Sequence, residues 1–341
     1  MTDAPAGGPG EDSPSPLVSI VMPILNEERH LAEAVGAAFE QEYDGPIEVV
    51  LALGPSTDRT DDIARDLADH DPRVHLVPNP SGRTADALNA AIDRAKGTVV
   101  VRVDGHGLLD PDYVRTAVET LTATGAANVG GLMAAEGTTP FERAVATAMT
   151  SVLGVGAARF HTGGEPGPAD TVYLGVFRRE WLERVGGYDP QFVRAQDWEM
   201  NHRILKAGGL VWFTPRLRVR YRPRASVKAL SRQYFEYGRW RRVVSRAHRG
   251  TVNLRYLAPP AAVVGVVAGT VVGVALTPWG FVLPLGYAAV VVAGSAVIGS
   301  GLRPTDRAWL PVVLPAMHLS WGVGFLTSPS SLVPEQLRTA G

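Results

Sequence analysis

The chain contains no cysteine. That excludes disulfide staples and thiolate metal sites, and it suits a reducing compartment. Nor is there an excess of either charge. Lys and Arg number 33 against 34 Asp and Glu, a formal net charge of -1, which lacks the basic footprint of a nucleic-acid binder. From Tyr256 to Leu302 charge is missing altogether. At the other end, Met1 to Pro16 lacks the basic start and apolar stretch of a signal peptide. Its Pro, Gly, Ser, Ala and acidic residues read as a disordered leader, so the domain behind it is expected in the cytoplasm. No internal repeat is evident.

What is present suggests a folded domain over 17–250, after the leader 1–16, and a membrane domain over 251–341. Leu17 to Met22, Ile47 to Leu53 and Thr98 to Val103 are apolar runs of strand length. Between them, Glu27 to Phe39, Asp58 to Leu67 and Thr84 to Arg94 carry helical patterns. Strands without alternation, separated by amphipathic helices, predict a mostly parallel α/β sheet covered on both faces. Ligands in such sheets bind beyond the carboxyl ends of the strands, where Asn26, Glu27 and Asp104 fall. The second half mixes strands (Ala127 to Met133, Thr171 to Phe177) with helices (Pro140 to Met149, Gln196 to Lys206). The Gly- and Pro-rich stretch Gly154 to Ala169 is expected to be a loop over the cleft.

Leu257 to Thr277, Trp279 to Ile298 and Ala308 to Thr327 each suffice for a span, which needs about 20 apolar residues. Pro311 and Pro315 interrupt the last, so two or three true transmembrane helices are expected. Arg239, Arg241, Arg242, Arg246, Arg249 and Arg255 crowd the entry to the first segment. The positive-inside rule then places the upstream domain at the cytoplasmic face of the cell membrane. Arg303 and Arg307 put the following loop on the same side, and three spans would leave the C-terminus on the other.

Asp104 ends a buried run, where a carboxylate is costly unless paired or metal-bound. With His106 two residues on, it suits Mn2+ or Mg2+ bridging a diphosphate. Alone, the pair also fits a turn aspartate beside an exposed histidine. Asp197 and Glu199 are two apart, so on a helix they diverge by about 200° and cannot both face one substrate. Glu199 and Arg203 are spaced i,i+4 and can pair. That leaves Asp197 as the general base, or as a helix N-terminal acid favoured by the dipole.

Taken in order, the motifs form a pattern. Val18-Ser19-Ile20-Val21-Met22-Pro23-Ile24-Leu25-Asn26-Glu27-Glu28, Ser56-Thr57-Asp58-Arg59-Thr60, Ala87-Leu88-Asn89-Ala90-Ala91, Val101-Arg102-Val103-Asp104-Gly105-His106 and Gln196-Asp197-Trp198-Glu199 with Arg203 resemble the signatures of glycosyltransferase family 2. The series spans Val18 to about Trp240. The Asp-x-His and the Gln-Asp-Trp-Glu are most similar to succinoglycan-type exopolysaccharide glucosyltransferases with C-terminal membrane segments. The resemblance implies a GT-A fold (Rossmann-like, mostly parallel sheet with flanking helices), a nucleotide-diphosphate sugar donor, a divalent metal and inversion at the anomeric carbon. By position, Pro23, Asn26 and Glu27 would line the nucleotide pocket, Asp104 and His106 would hold the metal, and Asp197 would deprotonate the acceptor.

The family usually has an acidic residue just before its Ser-Thr-Asp; this chain has Leu51-Ala52-Leu53-Gly54-Pro55. One hydrogen bond to the base, about 0.5–1.5 kcal/mol net, is then missing unless Asp58 supplies it. Arg83, after Gly82 in a loop, is expected either to contact donor phosphate or to be a solvated loop arginine. Gln233 with Arg239-Trp240 is similar to the Gln and Arg-Trp elements of processive members, at longer spacing, and marks acceptor or diphosphate contacts along with Gln196 and Glu199. The same segment also reads as an interfacial amphipathic helix. Arg222 and Arg224 are expected at the membrane surface, and His161 is a further candidate ligand. The expected activity is transfer of a UDP-hexose sugar to a polyprenyl-linked saccharide, with the lipid bilayer as a second partner and no nucleic acid. A processive polysaccharide synthase or a membrane-anchored pseudoenzyme scaffold are the rival readings.

Overall fold

A computed structural model describes residues 15–333. The expected leader, 1–16, lies almost wholly outside the described residues.

Chain order sets β1 (Val18–Ile24), α1 (Leu31–Phe39), β2 (Ile47–Leu53), α2 (Thr60–His70), β3 (Val74–Pro78), α3 (Thr84–Arg94) and β4 (Val99–Arg102). β1 runs parallel to β2 in the register Val18↔Ile47 through Ile24↔Leu53, and parallel to β4 with Val21 opposite Arg102. The lack of alternation has a direct cause. Ile20, Met22 and Ile24 pack on α1, while Val21, Val50 and Val100 pack on α3. Both faces of the sheet are dry, and each such side chain contributes about 1.5–3 kcal/mol by leaving water.

The second half is mixed, as its sequence suggests. β5 (Leu108–Leu109), α4 (Tyr113–Thr124), β6 (Asn128–Ala135) and α5 (Pro140–Met149) lead to two short helices, α6 (Val152–Val155) and α7 (Arg159–Thr162). Then come β7 (Gly167–Pro168), β8 (Tyr173–Arg178), α8 (Arg179–Val185), α9 (Gln196–Lys206), β9 (Val211–Tyr221) and α10 (Val227–Ala247). The sheet order is β3-β2-β1-β4-β8-β6-β9-β5, with β7 on β9. β8 is antiparallel to both β4 and β6.

Two expectations change. The first helix begins at Leu31, not Glu27, because Glu27 to His30 form a turn that leaves their side chains at the strand ends. The stretch 154–169 is not an open loop. It holds α7 and β7, and Leu153 just before it sits against Gly294.

The remainder is α11 (Ala258–Ala275), α12 (Val282–Ile298), α13 (Pro304–Arg307) and α14 (Leu310–Thr327). Among the described residues, three helices are long and apolar enough to cross a membrane: Leu254–Ala275, Pro278–Ile298 and Pro304–Thr327. The first two have 11% of their apolar windows buried, the third 39%. Pro315 sits within α14, which remains one helix. α14 shares a core with the α/β domain: Met133, Val145 and Leu230 pack against Leu310, Leu314 and Met317.

Candidate active site

Parallel register brings the ends of β1 and β2 side by side, and the loops that follow are laced together. Asn26, at φ 56°, accepts from the Thr57 backbone N–H at 2.8 Å and donates its own N–H to Ser56 Oγ. Glu27 N–H donates to Thr60 Oγ1 at 2.7 Å. Asp58 accepts from Thr60 and from the Glu28 N–H, and these hydrogen bonds lower its pKa. Asn26 and Asp58 therefore set loop shape, and the Asp58 carboxylate is already engaged. Pro23 lies half-buried at the rim, next to Ala52.

β4 delivers the centre. Arg102 is 6% exposed at its last position, an arginine ending a strand otherwise of valines. Its Nη1 donates to Asp197 Oδ1 in a very close ion pair, and its Nη2 donates to Asp104 Oδ1 at 3.3 Å. Burial opposes its charge, but Asp197 and Asp104 together hold its pKa above the ordinary value. Below it, the Tyr188 ring lies 5.8 Å from the guanidinium. Asn89 clamps Tyr188 through both backbone groups at 2.8 Å each.

Asp197 opens α9 after Ala195, which takes a left-handed φ of 62°, uncommon for a residue with a side chain. Burial pushes its carboxyl up to about 6, with Arg102 pulling down and Asp104 adding repulsion. A carboxylate so placed is ionised at neutral pH yet basic enough to take a proton.

His106 Nδ1 lies 2.7 Å from Glu27 Oε1. A carboxylate only accepts, so Nδ1 carries the proton and Nε2 is the nitrogen left to act as an acceptor or ligand. The Glu27 hydrogen bond raises the His106 pKa against the effect of burial. Gly105 permits the approach, since a Cβ there would lie 2.9 Å from both Glu27 Cγ and Ile24 Cδ1. A carboxylate orienting a histidine by one nitrogen while the other faces out is how metal-bound histidines are supported. Among the described residues no group of three His, Cys, Asp or Glu could hold a metal. The donor set fits a cation that takes Asp104 and His106 from the protein and its other ligands from phosphate and water.

Other expected residues go elsewhere. Glu199 is buried, bound to Arg203 through two bonds of 2.7 Å, with His248 Nε2 at 3.6 Å. It does not face an acceptor: two positions on from Asp197, about 200° around the helix, it points into the protein. Trp240 is also corrected. It is 5% exposed in a cluster with Phe192, Val243 and Val244, with no open face for a sugar. Gln196 donates to the Val193 carbonyl, and Arg239 pairs with Glu236 at 3.5 Å. Gln233 donates to Tyr221 and Tyr237, while its Oε1 is buried without a partner. Arg83 pairs with Asp86 and reaches the Pro190 carbonyl at 3.5 Å, ahead of the Asp197 loop. His161 is packed on Phe160, and burial plus Arg255 lower its pKa to about 4.

The sequence assigns no role in the site to Arg102 or Asn89, which stand inside the signatures above, nor to Tyr188 or Arg224. The signal for Arg102 was present as one charge in a valine strand. Arg224, expected at the membrane surface, is close enough to His106 for its charge to oppose, without reversing, the rise that Glu27 causes in the His106 pKa.

A family profile described as "Glycosyl transferase family 2" matches residues 19–186. The succinoglycan biosynthesis protein ExoA of Rhizobium meliloti (strain 1021) is 35% identical over 309 residues, 90% of this chain and 93% of that protein. A Methanococcus voltae enzyme, dolichyl N-acetyl-alpha-D-glucosaminyl phosphate 3-beta-D-2,3-diacetamido-2,3-dideoxy-beta-D-glucuronosyltransferase, is 26% identical across 71% of this chain and 77% of its own length. Among solved structures, a mannosyltransferase from Pyrobaculum calidifontis superposes with a TM-score of 0.58 at 21% identity, covering 94% of this chain and 91% of that one.

Proposed function

The chain belongs to glycosyltransferase family 2, and from that premise we propose that it moves a hexose from a nucleoside-diphosphate sugar, UDP-hexose being the expected donor, to a lipid-linked saccharide at the cytoplasmic membrane face, with inversion, in exopolysaccharide synthesis. The name of the Rhizobium relative supports the pathway class, and that of the Methanococcus relative, which describes a dolichyl-linked phosphate, supports the lipid-linked acceptor.

One observation carries the reading. Arg102 joins Asp104, at the end of β4, to Asp197, at the start of α9. The diphosphate side of the cleft and the base are thereby fixed to one buried guanidinium. Pro23, Asn26, Glu27 and Asp58 shape the nucleotide loops. Asp104 and His106 Nε2 would hold Mn2+ or Mg2+, and such a cation, when bound, stabilises charge on the departing diphosphate. Arg224 adds positive charge to the same side. Asp197 accepts the acceptor hydroxyl proton as that oxygen bonds to the anomeric carbon from the opposite face. The carbon–oxygen bond to the diphosphate breaks, and the nucleoside diphosphate leaves with the electron pair.

Calorimetric titration of UDP and GDP into the full-length protein, with and without Mn2+ and beside Asp104→Ala, tests the donor side. Metal-dependent UDP binding lost in Asp104→Ala is expected. GDP binding in place of UDP would change the donor class. Binding of neither would overturn the transferase reading.

A further inference from the structure

α14 passes by composition for a third membrane span. Its surroundings contradict a crossing. At its N-terminal end, Asp306 is 2% exposed and accepts two hydrogen bonds from Arg143 of α5, at 2.8 and 3.0 Å. Trp309 meets Phe141 of α5 edge to face at 5.3 Å. Past the C-terminal end, the Ser328 hydroxyl donates to the Arg239 carbonyl, and the Ser328 carbonyl accepts from Arg246. Val333 is buried with Phe192, Trp240, Val243 and Val244. Both ends of the helix therefore rest on the same α/β domain.

Between those ends α14 runs alongside α10 in the same direction. Leu230 packs near Leu314, a Cβ on Gly238 would strike the Trp321 carbonyl, and Arg242 lies over the Phe325 ring. The contact is too close for one helix to tilt away from the other. The candidate span Pro304–Thr327, 24 residues and about 36 Å long, crosses about 30 Å of hydrocarbon only if it stands upright to within about 35° of the membrane normal. Its neighbour would then stand upright too, and α10 carries Arg232, Glu236, Arg239, Arg241, Arg242 and Arg246. Ionised side chains at bilayer depth are costly enough to be rare, and a row of them along one helix is not sustained.

We infer that α14 lies in the plane of the membrane surface, that among the described residues only the α11–α12 hairpin crosses the bilayer, and that Ser330 is on the catalytic domain's side. The hairpin has the opposite character to α14. Val264, Val267, Val271, Val290 and Val292 are all more than half exposed, which is what a lipid-facing pair shows. The outer stripe of α14, with Val312, Val323 and Leu326 also open, rests on the acyl boundary while α10 covers its inner face. The inference rests on the membrane reading above and selects two crossings from the two or three that hydropathy allows.

The absence of native cysteine provides the test. Single substitutions Asp69→Cys in α2, Leu276→Cys at the hairpin tip, and Ser330→Cys are made in the full chain, with Pro329→Cys as a second reporter. Right-side-out and inverted membrane vesicles are exposed to a membrane-impermeant maleimide. The expected result is that positions 329 and 330 label from the same face as position 69, and position 276 from the other. Labelling of 329 and 330 from the face of 276 would overturn the inference and restore three crossings. Labelling of all four from one face would overturn the membrane-crossing reading itself.

Discussion

Arg102 and Asp197 are 95 positions apart in sequence and joined by a direct side-chain ion pair. The arginine is buried and shared with Asp104, so its three-centre arrangement ties two signatures into one site. Removing it leaves two carboxylates facing each other with no cation between them. Arg102→Met is expected to destabilise the fold by about 3–5 kcal/mol, the usual cost of breaking a buried pair from one side. Arg102→Lys should recover part of that loss. Thermal unfolding of the two variants in parallel checks it; equal stability of Arg102→Met and the parent would refute a structural role for the bridge.

Asp197→Asn keeps the shape of α9 and removes the base. Nucleotide binding should be unchanged while turnover falls by about 10²–10⁴-fold, the span general-base catalysis usually supplies. Initial rates with a radiolabelled sugar nucleotide, set beside calorimetric affinity, separate the two. Undiminished turnover would remove Asp197 from the chemistry.

The rate should also follow the ionisation of Asp197. Burial pushes its carboxyl to about 6. The basic form is the deprotonated one, so transfer should climb with pH below about 6 and level off above about 7. Because Arg102 lowers that pKa, residual activity of Arg102→Met should show its limb at higher pH than the parent. A limb moved to lower pH would contradict the assignment.

Trp240 provides a negative control for the acceptor site. It is 5% exposed and packs on Phe192, with ring centroids 6.4 Å apart. Trp240→Ala should cost stability, about 3–5 kcal/mol as for other buried aromatics, and leave the acceptor KM of the folded enzyme unaltered. A raised KM with unchanged melting temperature would return Trp240 to the substrate.

Much of this protein is written locally. The valine- and isoleucine-rich runs fixed a parallel sheet because their lack of alternation can be satisfied only between two layers of helices. The i,i+4 spacing of Glu199 and Arg203 alone predicted their pairing, since a helix makes those positions neighbours. The strand-end placement of Asn26, Glu27 and Asp104 followed from the same pattern. Long-range partnership was not legible. Nothing in the spacing of Arg102 says that it meets Asp197, nor that Asn89 holds the tyrosine beneath it, because those contacts depend on how strands are ordered in the sheet. Hydropathy measured the length of α14 and could not see Asp306 against Arg143 or Val333 against Phe192. A sequence window reports how apolar a helix is; only the packed chain decides what lies on either side of it.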